Sequence, residues 1–145
     1  MLVVLQLYTP EYQLGPSVLL YYILVYQPMD LILIVVQAGS GTFKTTGYLG
    51  AAAVIEGTTG YTVGFGIGNS NVSNADLHHG TIVLNLLNPS TNTWIAGGTA
   101  ARSDSVEAGF TSGAVSLDGT LDRIRFTTVG GTDTFDAGVT NIMWE

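Results

Sequence analysis

Short β-rich runs separated by glycine constrain this chain more than any other feature, and the pair that flanks Gly130-Gly131 is the clearest. Leu121 to Val129 and Thr132 to Trp144 are both rich in β-branched and aromatic residues, and a Gly-Gly dipeptide supplies the positive φ angles of a two-residue hairpin turn. The segment from Gly119 to Glu145 is therefore expected to close the fold as a β-hairpin. A two-residue loop sets Val129 opposite Thr132, Phe126 opposite Phe135 and Arg125 opposite Asp136. Ile124, Phe126 and Phe135 then share a core stripe. Arg123, Arg125 and Asp136 take the other face, with Arg125 and Asp136 as an ion pair.

The same pattern runs back to Gly39. Thr42 to Thr45, Val54-Ile55, Thr62 to Ile67, Thr81 to Leu87, Trp94 to Thr99 and Ala114 to Leu117 read as strands between Gly, Asn and Ser clusters, and no helix stands out. Within Thr81 to Leu87, Ile82, Leu84 and Leu86 fall on one face and Thr81, Val83 and Asn85 on the other, as in a half-buried antiparallel strand. Residues 39–145 are thus expected to form an antiparallel β-sandwich domain.

Residues 1–38 differ. Met1 to Leu5, Val18 to Tyr26 and Leu31 to Val36 are long apolar runs, broken by Pro10, Gly15-Pro16 and Pro28. A membrane span over Val18 to Val36 would carry Gln27, Pro28 and Asp30 near its middle, where an acid costs about 2.5–3.5 kcal/mol, and no Lys or Arg flanks it. A signal peptide would need a basic start that this segment lacks. The expected role is extended β-structure: an apolar anchor or strand-exchange segment that adds strands to a neighbour's open sheet edge.

Only 10% of the 145 residues are charged, against about 25% in an ordinary soluble domain. So few charges leave broad neutral surface, which points to a protein covered by sister chains or by a larger particle. A net charge of −7 with four basic residues cannot make the cationic stripe that nucleic acid requires. The absence of cysteine excludes disulfides, thiol catalysis and Cys-based zinc sites.

Several segments imitate chemistry. Gly39 to Lys44 resembles a phosphate loop, but the Gly-Lys spacing is wrong and no helix follows. His78 and His79 are adjacent strand residues facing opposite ways, so they cannot chelate one ion, although Asp76 and His78 share a face. Asp133 and Asp136 offer oxygen ligands, with Arg125 the expected partner of Asp136. Asp104 and Glu107 lack an acid-base setting. No catalytic, cofactor or metal site is expected. Tyr48, Tyr61, Trp94 and Trp144 are flat enough to receive sugars, and Tyr61 and Trp94 are the glycan candidates, against a core role that suits large aromatics better.

The Leu121-Asp122-Arg123-Ile124-Arg125 strand, Thr127-Thr128-Val129, the Gly turn, Thr132-Asp133-Thr134-Phe135-Asp136-Ala137-Gly138 and the final Asn141-Ile142 follow one another in a distinctive order. With His78-His79-Gly80-Thr81 and Thr91-Asn92-Thr93-Trp94-Ile95 upstream, this series resembles a C-terminal module of structural proteins from tailed bacteriophages, especially those of marine and cyanobacterial hosts. The likeness covers about Thr42 to Glu145. It implies a jelly roll, eight strands in two facing sheets, and a place in a virion assembled in the host cytoplasm. The expected function is a homotrimeric decoration or cement protein on the capsid surface, partnered by itself and by other phage structural proteins, the major capsid protein foremost. It would bind no nucleic acid, no membrane and no cofactor, and it would not be an enzyme. The alternative is a tail fibre or spike domain that binds host surface glycan.

Overall fold

A computed structural model describes residues 4–6, 17–26, 34–54, 57–67, 77–131 and 135–144. Among them every regular element is a β-strand. A smaller sheet contains β1 (Val4–Gln6), β11 (Arg123–Thr128), β3 (Ile34–Ser40) and β4 (Thr42–Phe43), with β7 (Phe65–Gly66) also paired to β3. A larger sheet runs in the order β12 (Phe135–Trp144), β2 (Ser17–Tyr26), β8 (Leu77–Asn88), β9 (Thr93–Arg102), β10 (Ala108–Ser116), β5 (Leu49–Val54) and β6 (Gly57–Tyr61). All pairings are antiparallel.

The long hairpin β8–β9 shows how the sequence makes this architecture. Its turn is set by Asn88, whose Oδ1 accepts the Ser90 amide at 2.9 Å, and by Asn92 at φ 45°, a left-handed conformation that asparagine tolerates. The strands then pair from His78 opposite Arg102 to Leu86 opposite Trp94. Alternation sends Ile82, Leu84, Trp94 and Ala96 inward, and all four are buried. Gly98 is needed between them, because a Cβ there would lie 2.2 Å from the Thr81 carbonyl oxygen on the neighbouring strand.

One apolar cluster joins the two sheets. Ala38, Ile124, Phe126 and Phe65 from the smaller sheet pack with Ile82, Leu84, Trp94, Val115 and Phe135 from the larger. The result is a two-layer, sandwich-like all-β fold. Tyr48 stitches the layers: its hydroxyl accepts the Ala38 amide at 2.9 Å and donates to the Ala38 carbonyl at 3.2 Å, while its ring meets Phe65 edge-on at 4.9 Å. Burial pushes the Tyr48 phenol up to about 12.

The expected closing hairpin is corrected. β11 has β1 on one edge and β3 on the other, leaving no free edge for β12, which pairs with β2 in the other sheet. Gly130-Gly131 is instead part of a corner between sheets, with the Gly131 amide donating to the Thr128 carbonyl at 3.0 Å and Gly131 at φ 70°. Phe126 and Phe135 are both buried, and they enter the core from opposite layers.

The boundary expected at residue 38 falls inside β3. β2, from the apolar N-terminal segment, lies between β8 and β12 of its own chain. No helix among the described residues is long and apolar enough to cross a membrane.

Candidate assembly surface

Because side chains alternate along a strand, burying Ile82, Leu84, Trp94, Ala96 and Val115 sends their neighbours to the opposite face of the larger sheet. Strand register aligns those neighbours in rows. One row runs through Asn141, Thr81, Thr99, Phe110, Ala53 and Thr58; another through Met143, Leu19, Val83, Gly97, Ser112, Ala51 and Gly60. A third holds Asn85, Ile95, Ala114 and Leu49. Thr81 and Thr99 touch hydroxyl to hydroxyl at 3.4 Å.

Among the described residues this outward face carries no Asp, Glu, Lys or Arg. Small residues keep most of it low, while Phe110, Leu49, Val139 and Met143 stand out, at 68%, 78%, 71% and 47% exposure. Seven strands at about 4.8 Å spacing and about eight residues of rise give a patch on the order of 750 Å². That is close to the roughly 800 Å² that each partner contributes to a standard protein interface.

The charges lie elsewhere. Three of the chain's four basic residues, Lys44, Arg123 and Arg125, are on or beside the smaller sheet. Arg125 Nε donates to Gln37 Oε1 at 2.7 Å, and its guanidinium carbon sits 4.3 Å from the centre of the Phe43 ring. Arg123 is paired with Asp122 at 2.8 Å and holds that carboxyl below the usual range; Asp122 also accepts the Gly41 amide. Lys44 Nζ meets Asp118 at 2.9 Å. Arg102, the fourth, closes the corner between β9 and β10 by pairing with Asp104 at 2.8 Å and Glu107 at 3.5 Å. The hydrogen bond from Arg102 holds the Asp104 carboxyl well below the usual carboxylate range.

The other candidate residues fall as follows. Ile82, Leu84, Ile124, Phe126 and Phe135 are buried in the central cluster, with Leu86 packed partly buried against it. Arg125 has Gln37 and Val4 across its strand pairs; the Asp136 side chain, like Asp76 and Asp133, lies outside the described residues. Tyr61 and Trp94 are corrected as glycan platforms, since at 3% and 2% exposure neither can present a ring face to a sugar. Both fill the interior because they sit at inward positions of β6 and β9. His78 is buried, whereas His79 Nδ1 meets Ser103 Oγ at 2.7 Å. Among the described residues no cluster of His, Asp and Glu is placed to hold a metal ion.

A scan of protein-family models and searches of curated proteins and of solved structures each returned no match.

Reading the sequence alone does not bring out the neutral face as a unit. Its signal is the alternation of Gly97, Thr99 and Ala101 on one strand with Phe110, Ser112 and Ala114 on the next, but only their register makes these a surface.

Proposed function

We propose that this chain is a structural protein of a bacteriophage particle, a homotrimeric jelly-roll protein that decorates the capsid. The observation that carries the reading is the outward face of the larger sheet, which among the described residues bears no charged side chain. A chain with a net charge of −7 repels its own copies and other acidic surfaces, and a face without charges is where close approach costs least. Polar backbone there is already paired within the sheet, so covering it requires little desolvation of unpaired groups. The motif series from His78 to Ile142 supports the virion assignment, and the passage of the chain between layers from β2 to β3 and from β10 to β11 suits a jelly roll.

Such a protein acts by assembly rather than catalysis. Contacts spread over several capsid subunits must fail together, so modest individual interfaces hold the particle strongly. Asp104 and Glu107 are both committed to Arg102.

A cryo-EM map of intact particles tests the proposal. The expected result is threefold density across the capsid surface, with the face around Thr81, Thr99 and Phe110 against a neighbouring subunit. Copies confined to the tail, or that face open to solvent in the particle, would overturn it.

A further inference from the structure

We propose that the outer edge of β12 pairs with the same edge of a second copy of this chain, antiparallel about a twofold axis at Asn141. β12 ends the larger sheet: β2 lies along one side of it, and no strand among the described residues lies along the other. Every second residue of such a strand turns its amide and carbonyl away from the neighbour it already has, so the outer side is an unused ladder. Proteins commonly blunt such edges with lysine, proline or shortness. β12 uses none of these: it runs ten residues, and Gly138 to Trp144 hold neither charge nor proline.

A second copy is the occupant that fits. Among the described residues the other sheet ends offer shorter ladders, of three residues in β1, two in β4 and five in β6, so another β12 matches the length best. With a net charge of −7 two copies repel, and an uncharged strip is where they approach at least cost. The register follows from the strand itself. A bulge between Phe135 and Ala137 bends the start of β12, which leaves Gly138 to Trp144 as the straight length, and Asn141 is its midpoint.

Full overlap about Asn141 sets Val139 opposite the partner's Met143, Thr140 opposite the partner's Ile142 and Gly138 opposite the partner's Trp144. Opposed residues share a face of the joined sheet. Val139 and Met143, 71% and 47% exposed on the outward side, each gain an apolar neighbour, and Trp144, 47% exposed, covers backbone that Gly138 leaves bare. The contact is isologous, so it closes at two copies instead of growing into a fibre. In a trimer it would link one trimer to the next. One strand edge buries well below the roughly 800 Å² per partner of a standard interface, so the pair is transient between free chains and persistent where copies are concentrated on a surface.

The chain has no cysteine, so introduced cysteines report the register cleanly. Directly opposed residues lie about 4.5–5.5 Å apart between Cα atoms, within disulfide reach, whereas two copies of residue 139, or of residue 143, lie about 14 Å apart in this register. The test is mild oxidation of the full chain, read on a non-reducing gel. Asn141→Cys should form a covalent dimer at least about tenfold faster than Val139→Cys or Met143→Cys alone, and the double variant Val139→Cys, Met143→Cys should also form it. The double variant leaves Asn141 intact and decides the matter if Asn141→Cys does not fold. Adding Asn141→Lys to it opposes two cations at the axis and should cut the dimer about tenfold, with the unfolding midpoint unchanged. Equal rates at the three single positions, no dimer from the double variant, or a dimer indifferent to the lysine would each overturn the proposal. These outcomes are read on the isolated chain, so they stand apart from the particle map.

Discussion

The outward faces of the two sheets are built on opposite plans. On the smaller sheet, Arg125, Gln37 and Phe43 interlock through a charged hydrogen bond and a cation–ring contact, and Gln37 is only 3% exposed. On the larger, the rows around Thr99 and Phe110 consist of neutral side chains, most of them short, with Thr81 and Thr99 touching hydroxyl to hydroxyl across two strands. The first face is finished within the chain. The second is left plain, and the difference shows that, among the described residues, charged side chains sit at joints within the chain rather than on this face.

The largest effect should come from breaking what both faces rest on. Phe126→Ala empties a 1%-exposed site in the shared core and should cost about 3–5 kcal/mol in denaturant unfolding. A near-native midpoint would deny that the two layers share this core. Next comes the larger sheet's inner side: Gly98→Ala forces a Cβ against the Thr81 carbonyl and should destabilise by about 1–3 kcal/mol.

Arg125→Ala sharpens the comparison from the smaller sheet. It removes the donor to the buried Gln37 oxygen and the cation over Phe43, so a loss of about 1–3 kcal/mol is expected from the same unfolding curves. Phe110→Glu on the larger sheet should change stability by no more than about 0.5 kcal/mol, because Phe110 is 68% exposed. It should nonetheless prevent attachment to particles in a co-sedimentation assay. Equal stability losses at Arg125 and Phe110 would erase the contrast between the faces.

The two layers also share a response to alkali. Tyr48 and Tyr61 are buried, and burial pushes both phenols from 10.0 to about 12. The folded chain therefore holds these protons more tightly than the unfolded chain. Their contribution is intact below pH 10 and is lost as pH rises through 12, so ultraviolet titration should show phenolate from these residues appearing together with unfolding.

The all-β character is legible in the sequence because glycine, asparagine and β-branched residues act locally. Asn88 and Asn92 make a turn from their own side chains and backbone freedom. Alternation from Thr81 to Leu87 depends only on strand period, and it separates the buried Ile82 and Leu84 from the outward Val83. Partner choice is less local. A Gly-Gly corner looks the same whether the next strand returns beside its predecessor or crosses to another sheet, and only occupied edges decide. Arg125 reaches Gln37 across 88 positions of sequence, a contact that hairpin logic directs to Asp136 instead. Tyr61 and Trp94 illustrate the same limit, because an aromatic ring suits a sugar platform and a core equally well until its face is known.

Trp144 pairs opposite Val18 in the register of β12 and β2, while β2 also pairs with β8. The larger sheet thus joins strands that lie far apart along the chain. During synthesis, the β8–β9–β10 meander can form early, but the outer edge of β2 waits for residues near 144 to leave the ribosome. For that interval β2 presents an open ladder of amides and carbonyls. Its right partner follows β8, β9, β10 and β11 in the chain, so the time taken to translate the residues between β2 and β12 sets how long a wrong strand has to take its place.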